Sequence, residues 1–445
     1  MKAYTPHFLS YRNDTSEKAC QYIQGLLKKD LRKNAESIAL AVPGAQVQNI
    51  QQFISDSAWK YQPVMNQTAQ NVNELLGDDD YAALLIDESG IPKKGKKSVG
   101  VGRQWLGSLG KTDNGQVGVF AALSNGNRAC LINTKLYLPK EWTSDKKRCN
   151  EAHIPKDKQQ FKTKDELAID LVDDAIALGM QFGHVGADAG YGKGFGFMVA
   201  IESRNKEFMV DVACDLRVYT KNPKPVIPEK TGSRGRTPTE YEATTDAIRI
   251  DKLVAKIAPT KWRPISIRNS TKGPVVYEVY CQRIFVWQKD MKDKPRQWWL
   301  AVRRDPETKS DYKYSLSNAP EEITIERLAQ KQGQRYWIEK AFETAKGDCG
   351  LDHYEVRGWD GWHRHMALVM MAQFFLLQEK ILNEKEYPLL SERDIMELLA
   401  IFLPQKEQSI ETVLKEMKLR HDQRARATDS ATNKVYEKWK SILTL

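Results

Sequence analysis

The segment Tyr81-Ala-Ala-Leu-Leu-Ile86 runs directly into the acidic residue Asp87. A continuous apolar run that stops abruptly at a charge is typical of a central strand buried on both faces of a sheet. Backbone geometry can hold a carboxylate firmly at the end of such a strand. We therefore expect the fold, and any chemistry that it carries, to be organised around this strand.

Beyond Asp87 the chain alternates between strand-like and helical patterns. Three strand-like stretches come first, at residues 98–105, 116–123 and 129–138. A helix then begins at Thr163, which with Glu166 has the spacing of a capping box. A short strand at 184–187 ends at Asp188, and a further helix and a strand at 207–212 follow. A strand meander followed by helix-linked strands is the order of an RNase H-like domain, so we expect an α/β fold that brings both aspartates together.

The remaining regions differ in composition and predict the domain organisation. Residues 1–76 have apolar residues at helical spacing, which fits either a DNA-binding domain or a plain helical bundle. The prediction is an RNase H-like catalytic core interrupted by a β-rich insertion domain, with helical regions at both ends. Its parts are a helical N-terminal DNA-binding domain (1–76), the first part of the core (77–214), the insertion (215–325), the second part of the core (326–385) and a helical C-terminal region (386–445). At the start of the second part of the core, a helical segment is predicted from about residue 325 past 347.

Composition narrows the classes of partner. The chain has 445 residues, of which 41% are hydrophobic and 28% charged, as in soluble globular proteins. A net charge of +10 and a pI near 9.0 favour a polyanion such as nucleic acid, although many proteins of this pI bind none. The most apolar run, residues 366–377, is too short to cross a bilayer, and no signal-peptide pattern is present. We expect a cytoplasmic, nucleoid-associated protein without a membrane partner.

The six cysteines are scattered along the chain, and none forms a C-x-x-C pair. This spacing indicates neither a zinc ribbon nor a disulfide framework. Free thiols in a reducing cytoplasm are the expectation.

A helical pattern near the C-terminal end of the predicted core combines one acid with two bases. Arg335, Glu339 and Lys346 have spacings that place them on one helical face. Taken alone, this pattern fits a solvated helix with ordinary i,i+4 charge pairs.

Several motifs in order give this pattern a second interpretation. They are Leu85-Ile-Asp-Glu-Ser-Gly90, Ser98-Val-Gly-Val101, Gln116-Val-Gly-Val-Phe120, Leu136-Tyr-Leu-Pro139, Ala187-Asp-Ala-Gly-Tyr-Gly192 and Arg335 through Leu351-Asp-His-Tyr-Glu355. Over about residues 10–385 the chain resembles a large branch of bacterial insertion-sequence DDE transposases, whose signature is Y-x2-R-x3-E-x6-K. One position departs from it, since Gln332 stands where the signature has tyrosine. In such families that tyrosine contacts DNA, so one DNA contact is in doubt.

The resemblance implies that Asp87, Asp188 and Glu339 are the DDE triad and bind two Mg²⁺ ions, with Mn²⁺ as a substitute. Hydrolysis of a phosphodiester needs an activated water and a stabilised leaving oxygen, and two metal ions ~3.5–4 Å apart supply both. Because Mg²⁺ prefers oxygen ligands, three converging carboxylates suit it.

The resemblance also implies how the protein holds a DNA end. Arg335 and Lys346 would grip phosphate near the scissile bond. Relatives open the ends through a DNA hairpin, and a tryptophan of the insertion domain stacks on a flipped base. Trp298 and Trp299 occupy the corresponding strand here; the alternative is that both pack the core of the insertion.

Two basic segments are further candidates for DNA contact. The turn after the first aspartate carries four lysines: Lys93, Lys94, Lys96 and Lys97. They fit phosphate contacts or a merely solvated turn. Arg234 and Arg236 lie in a segment, residues 222–238, that is rich in Pro, Gly and basic residues.

Two other motifs are set aside. Gly90-x4-Gly95-Lys96 resembles a P-loop but has neither the Ser or Thr after the lysine nor a following helix. The pair His363-x-His365 has no Cys or carboxylate partner at ligand spacing, so we interpret it as part of a helix surface.

The sequence thus predicts a DDE transposase that binds the terminal inverted repeats of an insertion sequence and transfers the element to target DNA by cut and paste. Cutting two ends together predicts a homodimer in the complex. A metal-dependent nuclease that cuts without joining, and a domesticated protein that binds DNA without cutting it, remain alternatives.

Overall fold

The structure is a computed structural model that describes residues 2–10, 13–230, 237–270, 273–406 and 409–443. Its N-terminal region is helical, with one small hairpin. The elements are α1 (Thr5–Phe8), β1 (Leu9–Ser10), β2 (Asn13–Asp14), α2 (Ser16–Leu26), α3 (Ala35–Ala41), α4 (Val47–Ser55) and α5 (Tyr61–Leu76). Most of their buried residues belong to the same hydrophobic cluster as those of a long helix near the C-terminal end of the chain, so this region packs directly on the rest of the molecule.

The next segment carries the strands predicted from the sequence. Its elements are β3 (Asp78–Pro92), β4 (Gly102–Leu106), β5 (Lys111–Asn125), β6 (Arg128–Leu136), α6 (Lys140–Thr143), α7 (Lys146–Glu151), α8 (Lys164–Ala177), β7 (Phe182–Ala187), α9 (Gly196–Glu202) and β8 (Phe208–Val212). The capping box of Thr163 and Glu166 at the start of α8 is confirmed. The prediction of a strand from residue 98 is wrong at its start, because the chain turns at Gly100 (φ +71°) before β4 begins.

The following segment adds mostly strands. Its elements are β9 (Arg217–Val218), β10 (Ile248–Arg249), α10 (Ile250–Val254), β11 (Arg263–Ser270), β12 (Gly273–Val286), β13 (Arg296–Arg304) and β14 (Lys313–Ser317). Strand β14, which the sequence analysis did not predict, pairs antiparallel with β8. The strands between residues 263 and 317 therefore extend the sheet that contains β3.

The C-terminal part is helical in the described residues. Its elements are α11 (Ile325–Gln334), α12 (Tyr336–Gly347), α13 (Trp359–Asn383), α14 (Glu392–Phe402) and α15 (Ile410–Leu443). The predicted single helical segment from residue 325 is two helices, because the ladder is interrupted at Arg335. No helix in the described ranges has the length and hydrophobicity needed to cross a membrane.

In the described residues one mixed sheet of ten strands organises the molecule. Its order is β11-β12-β13-β14-β8-β7-β3-β5-β4, with β6 also paired to β5. Strand β3 is antiparallel to β5 and parallel to β7, and β7 is parallel to β8. Leu84 and Ile86 face a cluster that includes Leu171 of α8, whereas Ala83 and Leu85 face the cluster that includes α13. The prediction that this strand is buried on both faces is confirmed.

Candidate active site

Three neighbouring strands carry aspartates at the same level of the sheet, within β3, directly after β7 and within β8. The expectation that the first strand ends at its aspartate is wrong, because β3 continues to Pro92. Ile86 of β3 pairs with Ala187 of β7, and Ala187 pairs with Val210 of β8. The next residue of each strand is therefore an acid, namely Asp87, Asp188 and Asp211. Because side chains alternate along strands, and Ile86, Ala187 and Val210 share the cluster beneath α8, the three carboxylates lie on the opposite face.

Asp87 and Asp188 form a close, partly desolvated acidic pair. Burial first, and then the nearby charge of Asp188, raise the pKa of Asp87 to about 7. Asp87 Oδ1 accepts a hydrogen bond from the Glu88 amide at 2.7 Å, and Asp188 Oδ1 accepts one from the Gly190 amide at 2.9 Å. A divalent cation would relieve the repulsion of this pair and would find the oxygen ligands that Mg²⁺ prefers.

Glu339 lies on α12 and is linked to this pair through Arg335. Arg335 Nη2 lies 2.6 Å from Glu339 Oε1, and Arg335 Nη1 lies 3.9 Å from Asp87 Oδ2. Glu339 is half exposed, with 51% of its side chain accessible. Among the described residues, no group of three or more His, Cys, Asp or Glu side chains is arranged to hold a metal ion. In the described residues Glu339 is thus held by the Arg335 guanidinium and is not grouped with the two aspartates.

Asp211 is a fourth carboxylate that the sequence analysis missed. It is buried on β8, where its Oδ2 lies 3.1 Å from Arg335 Nε. Burial raises its pKa, while the hydrogen bond from Ser315 and the charge of Arg335 oppose that rise. An acid inside the apolar stretch Phe208–Val212 was the available signal, since a buried charge needs a partner.

Lys346 and Gln332, at the two other positions of the signature, differ from each other in their surroundings. Lys346 is partly buried over the ring of Phe342, and its pKa is lowered by burial while Asp352 and Asp87 oppose that shift. Gln332 is 2% exposed and donates hydrogen bonds to Ser315 and to the carbonyl of Ala301. Position 332 therefore packs inside the protein and offers no surface to DNA.

The two tryptophans of β13 point to opposite faces of the sheet. Trp298 is 1% exposed, packs on Phe208 and donates from Nε1 to Glu202 at 2.9 Å. This burial makes Trp298 a core residue and corrects its place among the DNA-contact candidates. Trp299 is only partly buried and lies on the face that carries the aspartates, with Arg283 5.4 Å from its ring.

Of the four lysine side chains in the turn after Asp87, one points into the protein and three lie at the surface. Lys93 points inward, 3.5 Å from the centroid of the Tyr354 ring, and burial lowers its pKa to about 8. The side chains of Lys94, Lys96 and Lys97 are exposed. The last two line a groove of about 1540 Å³, whose walls include acidic residues as well as basic ones. Arg234 and Arg236 lie outside the described residues.

The remaining sequence predictions concern histidine and cysteine. His363 and His365 are 3% and 0% exposed, so their interpretation as a helix surface is wrong. Both rings pack inside the protein, where His365 bonds Tyr22 and the Gly350 carbonyl. All six cysteines are free thiols, as predicted.

Comparisons with known proteins indicate the family of the chain. A family model described as DDE superfamily endonuclease matches residues 5–274, a range that includes Asp87 and Asp188 and ends before Glu339. A protein of Microchaete diplosiphon described as "Probable transposase for insertion sequence element IS701" is 25% identical over 355 residues. That match covers 76% of this chain and 78% of the relative.

Proposed function

The chain belongs to the DDE superfamily of endonucleases, and from that membership we propose that it is a transposase that cuts an insertion sequence out of DNA and joins it to a target. The observation that carries the proposal is the acidic pair Asp87 and Asp188 on the adjacent strands β3 and β7, with Glu339 linked to Asp87 through Arg335. The similarity to a protein described as a transposase supports the choice among endonuclease reactions.

In the proposed reaction, Asp87, Asp188 and Glu339 hold two Mg²⁺ ions, with Mn²⁺ as a substitute. When bound, the ions activate the attacking water or 3′ hydroxyl and stabilise the leaving oxygen. Burial of Asp87 and Asp211 gives the site a low dielectric, in which charged contacts to the substrate are strong. The protein's part is to keep the carboxylates at fixed strand and helix positions.

Arg335 and Lys346 are proposed to bind the phosphate next to the scissile bond. The planar guanidinium can hold two phosphate oxygens, whereas the ammonium acts as a point charge. Arg335 already lies against Asp87 and Glu339, and Lys346 is close enough to Asp87 to feel its charge. Both cations are thus next to the carboxylates that would hold the metal ions.

Other contacts with DNA are proposed from the surface. We propose that the exposed lysines 94, 96 and 97 contact the phosphate backbone of a terminal inverted repeat, and that residues 1–76 are the DNA-binding domain. Trp299 is the candidate to stack on a flipped base during hairpin formation, because it lies on the face of the carboxylates and is partly exposed. A homodimer would cut both ends together, at the nucleoid in the cytoplasm.

The sheet supports an RNase H-like assignment for the core. The order β6-β5-β3-β7-β8 has an antiparallel meander joined to two parallel strands, and β3, with the first aspartate, lies at its centre. We assign residues 215–325 as the β-rich insertion between the two parts of this core. Strands β11 to β14 then lengthen the catalytic sheet at the β8 edge.

The proposal is tested with duplex DNA carrying the inverted repeats found beside the gene, incubated with the protein and Mg²⁺ and then with a target plasmid. A transposase nicks at the repeat and joins the 3′ end to the plasmid. Cutting without joining would indicate a nuclease instead, and binding without cutting would indicate a domesticated protein. Either result would overturn the proposed function.

A further inference from the structure

Both carboxylate oxygens of Asp211 already have partners in the structure. Oδ1 accepts a hydrogen bond from Ser315 Oγ at 2.5 Å, and Oδ2 lies 3.1 Å from Arg335 Nε. With 16% of its side chain exposed, Asp211 is largely removed from solvent. A buried carboxylate with two such partners is a fixed anchor for the cation that it touches.

Asp211 is itself held in place by hydrogen bonds that involve two buried residues. Gln332 Nε2 donates to Ser315 Oγ at 2.8 Å, so a chain of hydrogen bonds runs from Gln332 through Ser315 to Asp211. Gln332 and Ser315 are 2% and 0% exposed. The hydrogen bonds join α11, β14 and β8 and end at Asp211, whose ion pair with Arg335 reaches the residue at which α11 gives way to α12. The residue that replaces the tyrosine of the family signature is therefore part of this support.

The inner nitrogen of Arg335, Nε, contacts a different carboxylate from its two outer nitrogens, Nη1 and Nη2. Nε faces Asp211, while Nη2 contacts Glu339 and Nη1 lies 3.9 Å from Asp87. If the outer nitrogens give up those two carboxylates, the ion pair between Nε and Asp211 still holds the guanidinium at this place. Two donors would then face the place where the scissile phosphate has to lie.

We propose that Asp211 is a positioning residue that holds Arg335 by Nε, so that its outer nitrogens pass from Glu339 and Asp87 to the scissile phosphate. This inference rests on the proposed function, because it needs a phosphate at the carboxylates. It assigns Asp211 no contact with metal or substrate. Ser315 and Gln332 keep Asp211 in place.

The test compares D211N, R335A and the double variant D211N/R335A in cleavage of the inverted-repeat duplex with Mg²⁺. The Asn amide can keep the bond from Ser315 but presents no charge to Nε. We expect D211N to lower the cleavage rate by about 100-fold, as misplacement of a catalytic group does. Since both residues act through one guanidinium, the double variant should cleave no more slowly than R335A. Additive losses would overturn the proposal, because they would mean that Asp211 acts independently of Arg335.

A second measurement needs no activity. Calorimetric titration with Mn²⁺, without DNA, should give D211N an affinity within about threefold of the wild type. D188N should lose at least about 10-fold, because loss of a direct ligand costs no less than the ~10–100-fold that a change in an outer-shell partner costs. A loss in D211N as large as that in D188N would make Asp211 a metal ligand and overturn the positioning role.

Controls separate this inference from folding and from the proposed function. E278Q removes the acid that pairs with Arg304 in the same sheet, 2.7 Å away, and should cleave normally. If D211N does not fold by circular dichroism, S315A replaces it and should show the same non-additivity with R335A. Normal wild-type cleavage with D211N unimpaired would overturn this inference alone, whereas a wild type that cuts no end would overturn both.

Discussion

Arg335 and Glu339 form a hydrogen-bonded ion pair across one helical turn, with 2.6 Å between Nη2 and Oε1. In isolation this pair would be the ordinary i,i+4 contact that the sequence also allowed. The guanidinium of Arg335, however, also lies within ion-pair distance of Asp87 and Asp211 on two strands of the sheet. The pair thus belongs to an acidic centre, in which Glu339 contacts Arg335 and is not grouped with Asp87 and Asp188.

Isosteric replacement of the triad tests the chemistry first. D87N, D188N and E339Q should each lower Mg²⁺-dependent nicking of the inverted-repeat duplex by about 1000-fold or more, since several kcal/mol of transition-state stabilisation depend on the ions. Binding of the duplex in a gel-shift assay should change little. Nicking that survives one of these changes would remove that residue from the triad.

Metal binding should be visible as stabilisation. Because a cation relieves the repulsion between Asp87 and Asp188, Mn²⁺ at 100 times its Kd should stabilise the wild type by about 2.7 kcal/mol. Differential scanning fluorimetry would record this as a higher Tm. D188N should show a much smaller rise at the same Mn²⁺ concentration, and an equal rise in both proteins would place the ion elsewhere.

The paired tryptophans of β13 predict opposite phenotypes. W299A should keep the fold and weaken hairpin formation by about 1–3 kcal/mol, the value of one base–aromatic stack. W298A should destabilise the fold by about 3–5 kcal/mol, because it empties a buried site beside Phe208. Hairpin yield on nicked DNA and urea unfolding measure the two effects. Normal hairpin yield in W299A would contradict the stacking role.

The exposed part of the lysine turn predicts a salt effect. Replacing Lys94, Lys96 and Lys97 by alanine should weaken duplex binding and reduce the slope of log K against log salt by about 0.9 for each phosphate that the turn no longer neutralises. Fluorescence anisotropy between about 50 and 200 mM salt gives that slope. An unchanged slope would show that the turn is only solvated. Lys93 is left intact in this variant, since its packing on Tyr354 belongs to the interior.

Burial of the two histidines of α13 predicts acid sensitivity. Desolvation lowers the pKa of both His363 and His365 to about 3, against an ordinary value near 6.5. Below pH 6.5 the unfolded chain therefore binds protons that the folded chain does not. The stability that each neutral ring contributes is complete above pH 6.5 and is lost as pH falls towards 3, by about 1.4 kcal/mol per pH unit.

H365Q should flatten this dependence, because glutamine does not titrate. Urea unfolding from about pH 5 to pH 8 measures it, and H421Q, which replaces an exposed histidine, is the control. A slope in H365Q equal to that of the wild type would contradict the prediction.

Local pattern predicted much of the fold. The apolar run before Asp87, the capping box at Thr163 and the strand that ends at Asp188 are all confirmed. Each depends on residues a few positions apart, whose spacing fixes which side chains a strand or a helix buries. Prediction from the local sequence pattern failed where contacts with distant parts of the chain decide the outcome. His363 and His365 lie on a helix that is buried on nearly every side, and β14 forms by pairing with β8.

Residue patterns along the chain were enough to predict one acid directly after each of two apolar strand segments, and a third acid on a helical face with Arg335 and Lys346. Long-range packing placed Asp211 beside Asp188, put Trp298 and Trp299 on opposite faces of the sheet, and set the guanidinium of Arg335 among three carboxylates. The physical reason is that strand register and helix packing join residues that lie far apart along the chain. The side-chain periods of about two residues in strands and about 3.6 residues in helices carry no information about such pairs.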